Sequence, residues 1–320
     1  MPGSRWFKAD LHVHTVDDLP GNARMPEGIN GDPATPDVLR SYSRRLLRGA
    51  ARAGVQVLGL TPHATRVGDG PETSAVWHVV DAWNAGTDDD GIPFREKVYA
   101  VFPGFEPNLN DGGSGVHLLF LFDPEIGRDR YLALFEAVMD GRRPWDGGLR
   151  MTTRDAKGVC AFLDERRLES LTAMPWDYLV LAPHFQGEHG LLREVQRQAL
   201  EKFPCERLAG FELGDSQLPS DFALTEKPGS FLLPFMERHR QAFFHASDAA
   251  TIADGDPGPR TLGYRTTWVK LASPRIEALR QAFVASDSRL RIAFERTDGG
   301  TLRSLSSPGR VEALAFRRPL

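Results

Sequence analysis

Histidine and carboxylate residues fall at or just after the ends of several short apolar runs along the chain. Such runs are typical of buried strands. The residues that follow them in this way are His12, His14, His63, Glu106, His184 and Asp248. Neutral imidazole nitrogens and carboxylate oxygens are ligands that borderline divalent ions prefer, and a carboxylate can bridge two ions. The set therefore predicts a divalent metal site.

Two of these histidines, His12 and His14, are separated by a single residue. Side chains two apart in a strand point to the same side, so one strand could supply two ligands to one ion. With 9 histidines in 320 residues, chance alone gives roughly 0.25 such pairs, so the inference depends on the whole set. The alternative is a structural role, in which strand-end polar groups cap neighbouring helices. His117 differs from the set because it lies near the start of its apolar run.

Strand-like runs alternate with helical patterns, and this alternation predicts the elements that position the ligands. The clearest helical pattern covers 36–53, and others cover 73–85, 129–139, 152–166, 191–202 and 274–284. Alternating strands and helices predict an α/β fold with a largely parallel sheet and right-handed crossovers. Roughly six to eight such units in about 280 residues fit a closed barrel better than an open sheet. The carboxyl ends of the strands of a barrel open on one face, so the ligands would share one pocket.

The domain organisation follows from where this alternation stops. We predict a barrel domain over residues 1–288 and a short β-rich C-terminal appendage over residues 289–320.

The formal net charge of −4 excludes a globally basic nucleic-acid coat. Cys160 and Cys205 form neither a disulfide framework nor a zinc motif. The N-terminus lacks a leader-like apolar segment, and no long apolar window occurs, so we expect a soluble cytoplasmic protein with no membrane contact.

Taken in order, the motifs around these residues resemble a known series. The motifs are Asp10-Leu11-His12-Val13-His14-Thr15, Leu60-Thr61-Pro62-His63, Pro103-Gly104-Phe105-Glu106, Val116-His117-Leu118-Leu119, Ala182-Pro183-His184 and His245-Ala246-Ser247-Asp248. They resemble the motifs of the PHP superfamily, named for polymerase and histidinol phosphatase, over about residues 6–285. The sequence is most similar to the PHP domain found fused to SMC-like or AAA-like ATPases. This chain contains no Gly-rich lysine loop of an ATPase, so an ATPase partner would be a separate chain.

The resemblance implies a distorted (β/α)7 TIM-like barrel of the PHP type with two divalent metal ions, Mn²⁺, Fe²⁺ or Zn²⁺. One ion would be held by His12, His14, Glu106 and Asp248, and Glu106 would bridge to a second ion held by His117 and His184. A third ion of the family is held by a residue equivalent to His63 and by two further residues. Here Ala250 stands at one of those positions, Asp17 or Asp18 at the other, and Pro62 replaces the usual aspartate.

The activity implied by the resemblance is hydrolysis of phosphate mono- or diesters by a metal-bridging hydroxide at the dinuclear centre. Two cations would activate this nucleophile and neutralise phosphoryl oxygens. His63 would stabilise or protonate the leaving oxygen, and Arg260, in the loop after Asp248, could bind a substrate phosphate. The candidate catalytic residues are therefore Glu106, Asp248, His63 and Arg260. The substrate would be a nucleotide, a nucleic-acid end or a small metabolite phosphate.

Two other functions are compatible with the same residues. An amidohydrolase-like metal hydrolase also uses a His-x-His pair on a barrel, but it needs a bridging ligand such as a carbamylated lysine, and no lysine follows a suitable strand. The other is a non-catalytic or regulatory PHP-fold partner of a separate ATPase or nuclease, because Pro62 and Ala250 depart from the family pattern. His189, in the loop after His184, is a further histidine that could face the pocket.

Overall fold

A mixed sheet of nine strands forms the framework of the protein. The computed structural model describes residues 3–18, 24–33, 35–63, 74–109, 116–139, 151–152, 178–184, 189–190, 208–214, 217–218, 241–252, 258–297 and 302–308. The strands are β1 (Arg5–Val13), β2 (Val57–Leu60), β3 (Ala100–Phe105), β4 (Asn108–Leu109), β5 (Val116–His117), β6 (Leu119–Phe122), β7 (Met151–Thr152), β8 (Tyr178–Ala182), β9 (Leu208–Glu212), β10 (Ala242–Phe244), β11 (Thr267–Leu271), β12 (Leu290–Ile292), β13 (Phe294–Arg296) and β14 (Leu302–Ser304). The helices are α1 (Pro36–Arg52), α2 (Ala75–Ala85), α3 (Phe94–Lys97), α4 (Arg128–Val138), α5 (Ile276–Val284) and α6 (Ser286–Arg289).

The large sheet contains two sets of parallel strands with an antiparallel strand between them. Its order is β10-β9-β8-β6-β3-β2-β1-β11-β12. Strands β1, β2 and β3 are parallel to one another, as are β8, β9 and β10. Strand β6 pairs antiparallel with β3 and β8, and β11 pairs antiparallel with β1 and β12. The fold is mixed α/β as expected, but the prediction of a largely parallel sheet is wrong for β6 and β11, which run antiparallel to their neighbours.

Strand β6 runs in the opposite direction because a hairpin, rather than a helix, connects it to β3. Within that connection β4 and β5 pair antiparallel, with Asn108 opposite His117. A parallel connection needs a crossover of a dozen or more residues, usually a helix. The strand expected over 116–122 is therefore two strands, β5 and β6, separated at Leu118. The amino end of β6 lies beside the carboxyl ends of β3 and β8.

Two buried apolar clusters cover the two faces of this sheet. The inner cluster joins side chains of β1, β2, β3, β6, β8, β10 and β11 to Ile276, Leu279 and Phe283 of α5. The outer cluster packs the other face against α1, α2 and α4. The helices expected over 36–53, 73–85, 129–139 and 274–284 are confirmed as α1, α2, α4 and α5. Those expected over 152–166 and 191–202 lie outside the described residues, apart from Thr152.

A β-bulge in β1 determines which way its last side chains point. Asp10 pairs with Leu58 but Val13 pairs with Leu60, so β1 has one residue more than β2 in this interval. Leu11 belongs to the inner cluster and Val13 to the outer cluster. Strict alternation would place residues 11 and 13 on the same face, so the bulge reverses the alternation near the end of the strand.

The segment after β10 returns to the end of β1 and nearly closes the sheet. The backbone N–H of Ala249 donates to His12 O at 3.0 Å, and that of His14 donates to Ala249 O at 2.9 Å. On the same side, the backbone N–H of His245 donates to Thr267 Oγ1 at 2.8 Å. These bonds place the residues after β10 directly beside the end of β1.

The C-terminal strands extend from this framework. Strand β12 pairs with β11 at the edge of the large sheet, and β13 and β14 form a separate antiparallel pair. Residues 309–320, where a further strand is expected, lie outside the described residues, and the domain boundary at residue 288 stays a prediction. None of the helices in the described ranges combines the length and the apolar character that crossing a bilayer requires.

Candidate metal centre

The residues expected to bind metal meet at one end of the large sheet. His12 lies near the end of β1 and His14 directly after it, β5 ends at His117, and the remaining members follow β2, β3, β8 and β10. We call these seven residues the ligand cluster: His12, His14, His63, Glu106, His117, His184 and Asp248. All of them except His184 and Asp248 are buried, and those two are partly buried. The reversed direction of β6 explains His117, because the start of this strand lies at the same end of the sheet as the other strand ends.

The two histidines of β1 point their Nε2 atoms at the same pair of carboxylates. The Nε2 of His14 lies 2.9 Å from Asp248 Oδ1 and 3.6 Å from Glu106 Oε2. The Nε2 of His12 lies 3.2 Å from Glu106 Oε2 and 3.7 Å from Asp248 Oδ1. Two imidazole nitrogens and two carboxylate oxygens therefore converge on one point, and the bulge of β1 provides the side-chain direction that this requires.

Glu106 lies at the centre of the ligand cluster. Its Oε2 is 3.3 Å from His63 Nε2, and its Oε1 is 2.7 Å from His117 Nδ1. The backbone fixes this position, since the Glu106 N–H donates to Pro62 O at 2.9 Å. Within the described part of the chain, the buried Oε1 of Glu106 accepts no hydrogen bond of good geometry. A carboxylate with imidazoles on both oxygens and one oxygen unsatisfied has the arrangement of a bridging metal ligand.

The cluster divides into overlapping groups whose donor atoms lie close enough to share an ion. These groups are His12-His184-Asp248, His12-His14-Glu106, His14-Asp18-His63 and His63-Glu106-His117. His184 thus groups with His12 and Asp248, and His117 groups with His63 and Glu106. The joint binding of a second ion by His117 and His184 stays a prediction.

Asp17 and Asp18, both candidates from the sequence, have different roles. Asp18 Oδ2 lies 2.6 Å from His14 Nδ1 and accepts the backbone N–H of His63 at 3.0 Å. Asp17 instead accepts the backbone N–H groups of Ala75 and Val76 at the start of α2. Of these two residues, Asp18 therefore contacts the cluster, whereas Asp17 caps the amino end of α2.

Two buried carboxylates next to the cluster escaped the sequence analysis. Glu212, the last residue of β9, has its Oε2 2.8 Å from His12 Nδ1. Asp10 accepts the backbone N–H of Ser247 at 3.0 Å and that of Gly263 at 2.9 Å, which fixes the backbone beside Asp248. Glu212 carries the same signal as the ligands, since it is a carboxylate at the end of an apolar strand.

The buried charges of the cluster compensate one another. Burial favours the neutral form of Glu106, but the imidazoles of His63, His117 and His12 hold the pKa of its carboxyl well below its usual range. Burial would lower the pKa of His14, yet its hydrogen bonds to Asp18 and Asp248 raise it to about 9. Because the pKa values of His12 and His14 are raised, protons on these two imidazoles provide positive charge beside the carboxylates. A divalent cation would compete with those protons for the same nitrogens.

Four non-glycine residues of the described chain have left-handed backbone conformations, and all four belong to or border this site. They are His184 (φ 45°), His189 (φ 61°), Asp248 (φ 48°) and Arg260 (φ 56°). This conformation costs about 1 to 2 kcal/mol for an L-residue, and such strain persists mostly where function requires it. The backbone strain of the described chain is therefore concentrated at the ligand cluster.

Arg260 and His189 contact different members of the cluster. The Nε of Arg260 is 3.3 Å from Asp248 Oδ2, and 48% of its side chain is exposed. The ring of His189 stacks on that of His117 with centroids 4.6 Å apart, and its carbonyl accepts the His117 N–H at 3.0 Å. The structure therefore brings all eight predicted site residues together and adds His189, Asp18 and Glu212 to their surroundings.

The comparisons with known proteins give little beyond a distant structural likeness. No family model matches the sequence, and a search of curated proteins finds no match. Solved structures do match, among them a proposed metal-dependent phosphoesterase from Bifidobacterium adolescentis. That structure has a TM-score of 0.37 and 16% sequence identity, with 78% of this chain and 89% of that chain covered.

Proposed function

We propose that this protein is a metal-dependent phosphoesterase with the PHP-type (β/α)7 barrel and a dinuclear centre. The observation that supports the proposal is the position of Glu106, whose two oxygens face different imidazoles at 3.2 Å (His12) and 2.7 Å (His117). A bridging carboxylate sets the separation of two ions, and two-ion sites commonly catalyse phosphoryl transfer. Imidazole and carboxylate ligands suit Zn²⁺, Fe²⁺ or Mn²⁺.

We assign the ligands from the groups of donor atoms that lie close together around Glu106. His12, His14 and Asp248 would hold the first ion together with Glu106. His117 would hold the second, also with Glu106, and either His184, as expected from the sequence, or His63, as grouped in the structure, would complete it. Metal analysis of His63→Ala and His184→Ala distinguishes these choices, because removing a ligand of the second ion reduces the bound metal from two equivalents toward one.

The residues around the metal ligands supply the rest of the chemistry. When bound, the two ions would lower the pKa of a water molecule and neutralise phosphoryl oxygens. The half-exposed guanidinium of Arg260 would bind phosphate oxygens through its planar fork. His63, with Nε2 facing Glu106 and its backbone N–H held by Asp18, would stabilise or protonate the leaving oxygen. The substrate would be a nucleotide, a nucleic-acid end or a small metabolite phosphate.

The surroundings of the described lysines support a phosphoesterase over an amidohydrolase-like enzyme. The Nζ of Lys8 donates to Ala53 O, Lys97 pairs with Asp88, and Lys270 lies over the ring of Trp6. Each of these lysines is thus engaged away from the ligand cluster, where a carbamylated lysine would have to bridge the ions. A non-catalytic role is disfavoured by the completeness of the two-ion donor set. The ATPase partner stays a prediction.

Metal-reconstituted activity tests the proposal directly. The protein should be stripped with chelator, reloaded with Mn²⁺, Fe²⁺ or Zn²⁺, and assayed against a phosphomonoester, a phosphodiester, a single-stranded oligonucleotide and a carboxylic ester. We expect turnover of at least one phosphate substrate and none of the carboxylic ester. Glu106→Gln should fold normally and lose at least about 100-fold in turnover. Full activity in Glu106→Gln, or preference for the carboxylic ester, would contradict the proposal.

A further inference from the structure

We infer that Glu212 is a positioning residue of the metal centre that fixes the tautomer and ring orientation of His12. This inference rests on the proposed function, since it assumes that His12 binds a metal ion. Glu212 lies at the end of β9, is fully buried, and places Oε2 2.8 Å from Nδ1 of His12, which is equally buried. The two residues are 200 apart in the sequence, so the fold alone brings them together.

The two ring nitrogens of His12 face different partners. Nδ1 faces Glu212, and Nε2 faces Glu106 and Asp248. A carboxylate only accepts hydrogen bonds, so the bond to Glu212 keeps the proton on Nδ1. When a metal ion replaces the proton on Nε2, the Nε2 lone pair points toward the centre. Carboxylate partners on the outer nitrogen of a metal-binding histidine orient the ring and increase its basicity in this way.

Arg265 stabilises the charge of Glu212 inside the protein. Its Nη2 lies 3.7 Å from Glu212 Oε1, and its Nη1 donates to the neighbouring Leu213 O at 3.1 Å. Only 8% of Arg265 is exposed. An unpaired buried carboxylate would be costly, and a protonated one would cease to be an obligate acceptor for His12. Arg265 therefore keeps Glu212 charged and correctly oriented, even though neither residue is a member of the ligand cluster.

Glu212 is a positioning residue rather than a metal ligand, because of the ring atom that it contacts. It approaches His12 from the nitrogen directed away from Glu106, on the opposite side of the imidazole. His14 has a similar arrangement, with Asp18 on Nδ1 and Asp248 on Nε2. Asp18 also accepts the His63 N–H, so its replacement would disturb two residues. Among the described members of the cluster, Glu212 hydrogen-bonds His12 alone, so its replacement gives the cleaner experiment.

The experiment compares Glu212→Gln and Glu212→Ala with wild type and with Asp123→Asn. Asp123 is a buried carboxylate that accepts the Ile276 N–H and pairs with Arg275, so its variant controls for the loss of a buried charge elsewhere. The readouts are Mn²⁺ affinity and stoichiometry by titration calorimetry, the visible spectrum of the Co²⁺-loaded protein, and thermal unfolding after metal removal. Turnover of the substrate found for the wild type completes the set.

We expect Glu212→Ala to bind Mn²⁺ about 10- to 100-fold more weakly than wild type, with an altered Co²⁺ spectrum. The Mn²⁺ affinity of Glu212→Gln should lie between those of wild type and Glu212→Ala, because its amide oxygen can still accept the Nδ1 hydrogen bond. The stability of the metal-free variants should fall no further than that of Asp123→Asn. If Glu212→Ala does not fold, the Mn²⁺ affinity of Glu212→Gln alone tests the inference, and we expect it to be lower than that of the wild type.

Two results would overturn the inference. The first is that both variants keep the Mn²⁺ affinity and the Co²⁺ spectrum of the wild type. The second is that the loss of Mn²⁺ affinity only parallels a loss of metal-free stability larger than that of Asp123→Asn. In either case an active wild-type enzyme would leave the proposed function intact. A wild-type protein that binds no metal would instead remove the proposed function and this inference together.

Discussion

The Nδ1 of His117 lies 2.7 Å from Oε1 of Glu106. His117 stands just before the start of β6, whereas Glu106 directly follows the end of β3. They meet because β6 is antiparallel to β3. Since the start of one strand and the end of its antiparallel neighbour lie at the same edge, a ligand from each reaches the same point. The candidate metal centre thus combines residues beside the start of a strand with residues after the carboxyl ends of strands.

Replacing His117 should therefore remove one metal ion and leave the other. We expect His117→Ala to bind about one equivalent of metal in place of two and to lose at least about 100-fold in turnover. Metal analysis after dialysis and a phosphatase assay measure the two effects. His78→Ala is the control, since His78 lies on α2 and in none of the metal-binding groups. Two bound ions in His117→Ala would show that this residue is not a ligand.

Comparing Arg260→Gly with Arg260→Ala should separate the effect of backbone strain on stability from the effect of the guanidinium on substrate binding. Arg260 has a φ of 56°, which glycine adopts freely and alanine does not, so Arg260→Gly should be about 1 kcal/mol more stable than Arg260→Ala. Both variants lose the guanidinium that would bind phosphate, so both should show a similar rise in KM. Denaturant unfolding and steady-state kinetics measure these quantities. Unchanged KM values in both variants would remove Arg260 from the site.

Asp17 should make the metal-free protein less stable as pH rises. Burial raises the pKa of Asp17 from 3.8 to about 7, although hydrogen bonds from Ala75 and Thr15 oppose the rise. Between these values the folded protein holds a proton that the unfolded chain has lost. The resulting stabilisation is complete below pH 3.8 and is lost as pH rises through about 7, an effect on the order of 4 kcal/mol.

Asp17→Asn tests this pH dependence because asparagine keeps an oxygen acceptor for α2 but does not titrate. Measured by urea unfolding with chelator present, the stability of the variant relative to wild type should increase between pH 4 and pH 8, the window set by the two pKa values of Asp17. Parallel pH profiles for the two proteins would show that Asp17 titrates normally.

Gly104 should tolerate no side chain. A Cβ at this position of β3 would lie 2.1 Å from Phe120 O and 2.9 Å from Leu60 O, both atoms of neighbouring backbones. We expect Gly104→Ala to lose about 3 kcal/mol or more of stability, because the strands would have to separate. Gly3→Ala is the control, since its Cβ would meet nothing within 4 Å. Thermal unfolding compares the two, and similar melting temperatures would contradict the expectation.

The sequence predicted which polar residues lie together better than it predicted the direction of the strands. The ends of apolar runs identified His63, Glu106 and Asp248 because a side chain placed there faces the edge where strands meet. The same pattern marks Glu212, which was overlooked because no motif assigned it a role. Periodicity contains no information on strand direction, so it could not show that β6 is reversed. That reversal depends on the short hairpin of β4 and β5, and no apolar run in the sequence marks β4.

The extra residue in β1 makes the register of this strand a requirement for the convergence of His12 and His14. Pairing with β2 anchors Ala9 and Asp10 on one side of the irregularity and Val13 on the other. If the same residues continued in regular register beyond Asp10, alternation would turn the two imidazoles toward the helices of the outer cluster. The direction of both rings is thus set by how β1 pairs with β2 rather than by the types of residue between the two anchors, and a slip of one residue beyond Asp10 would separate His12 and His14 from Glu106 and Asp248.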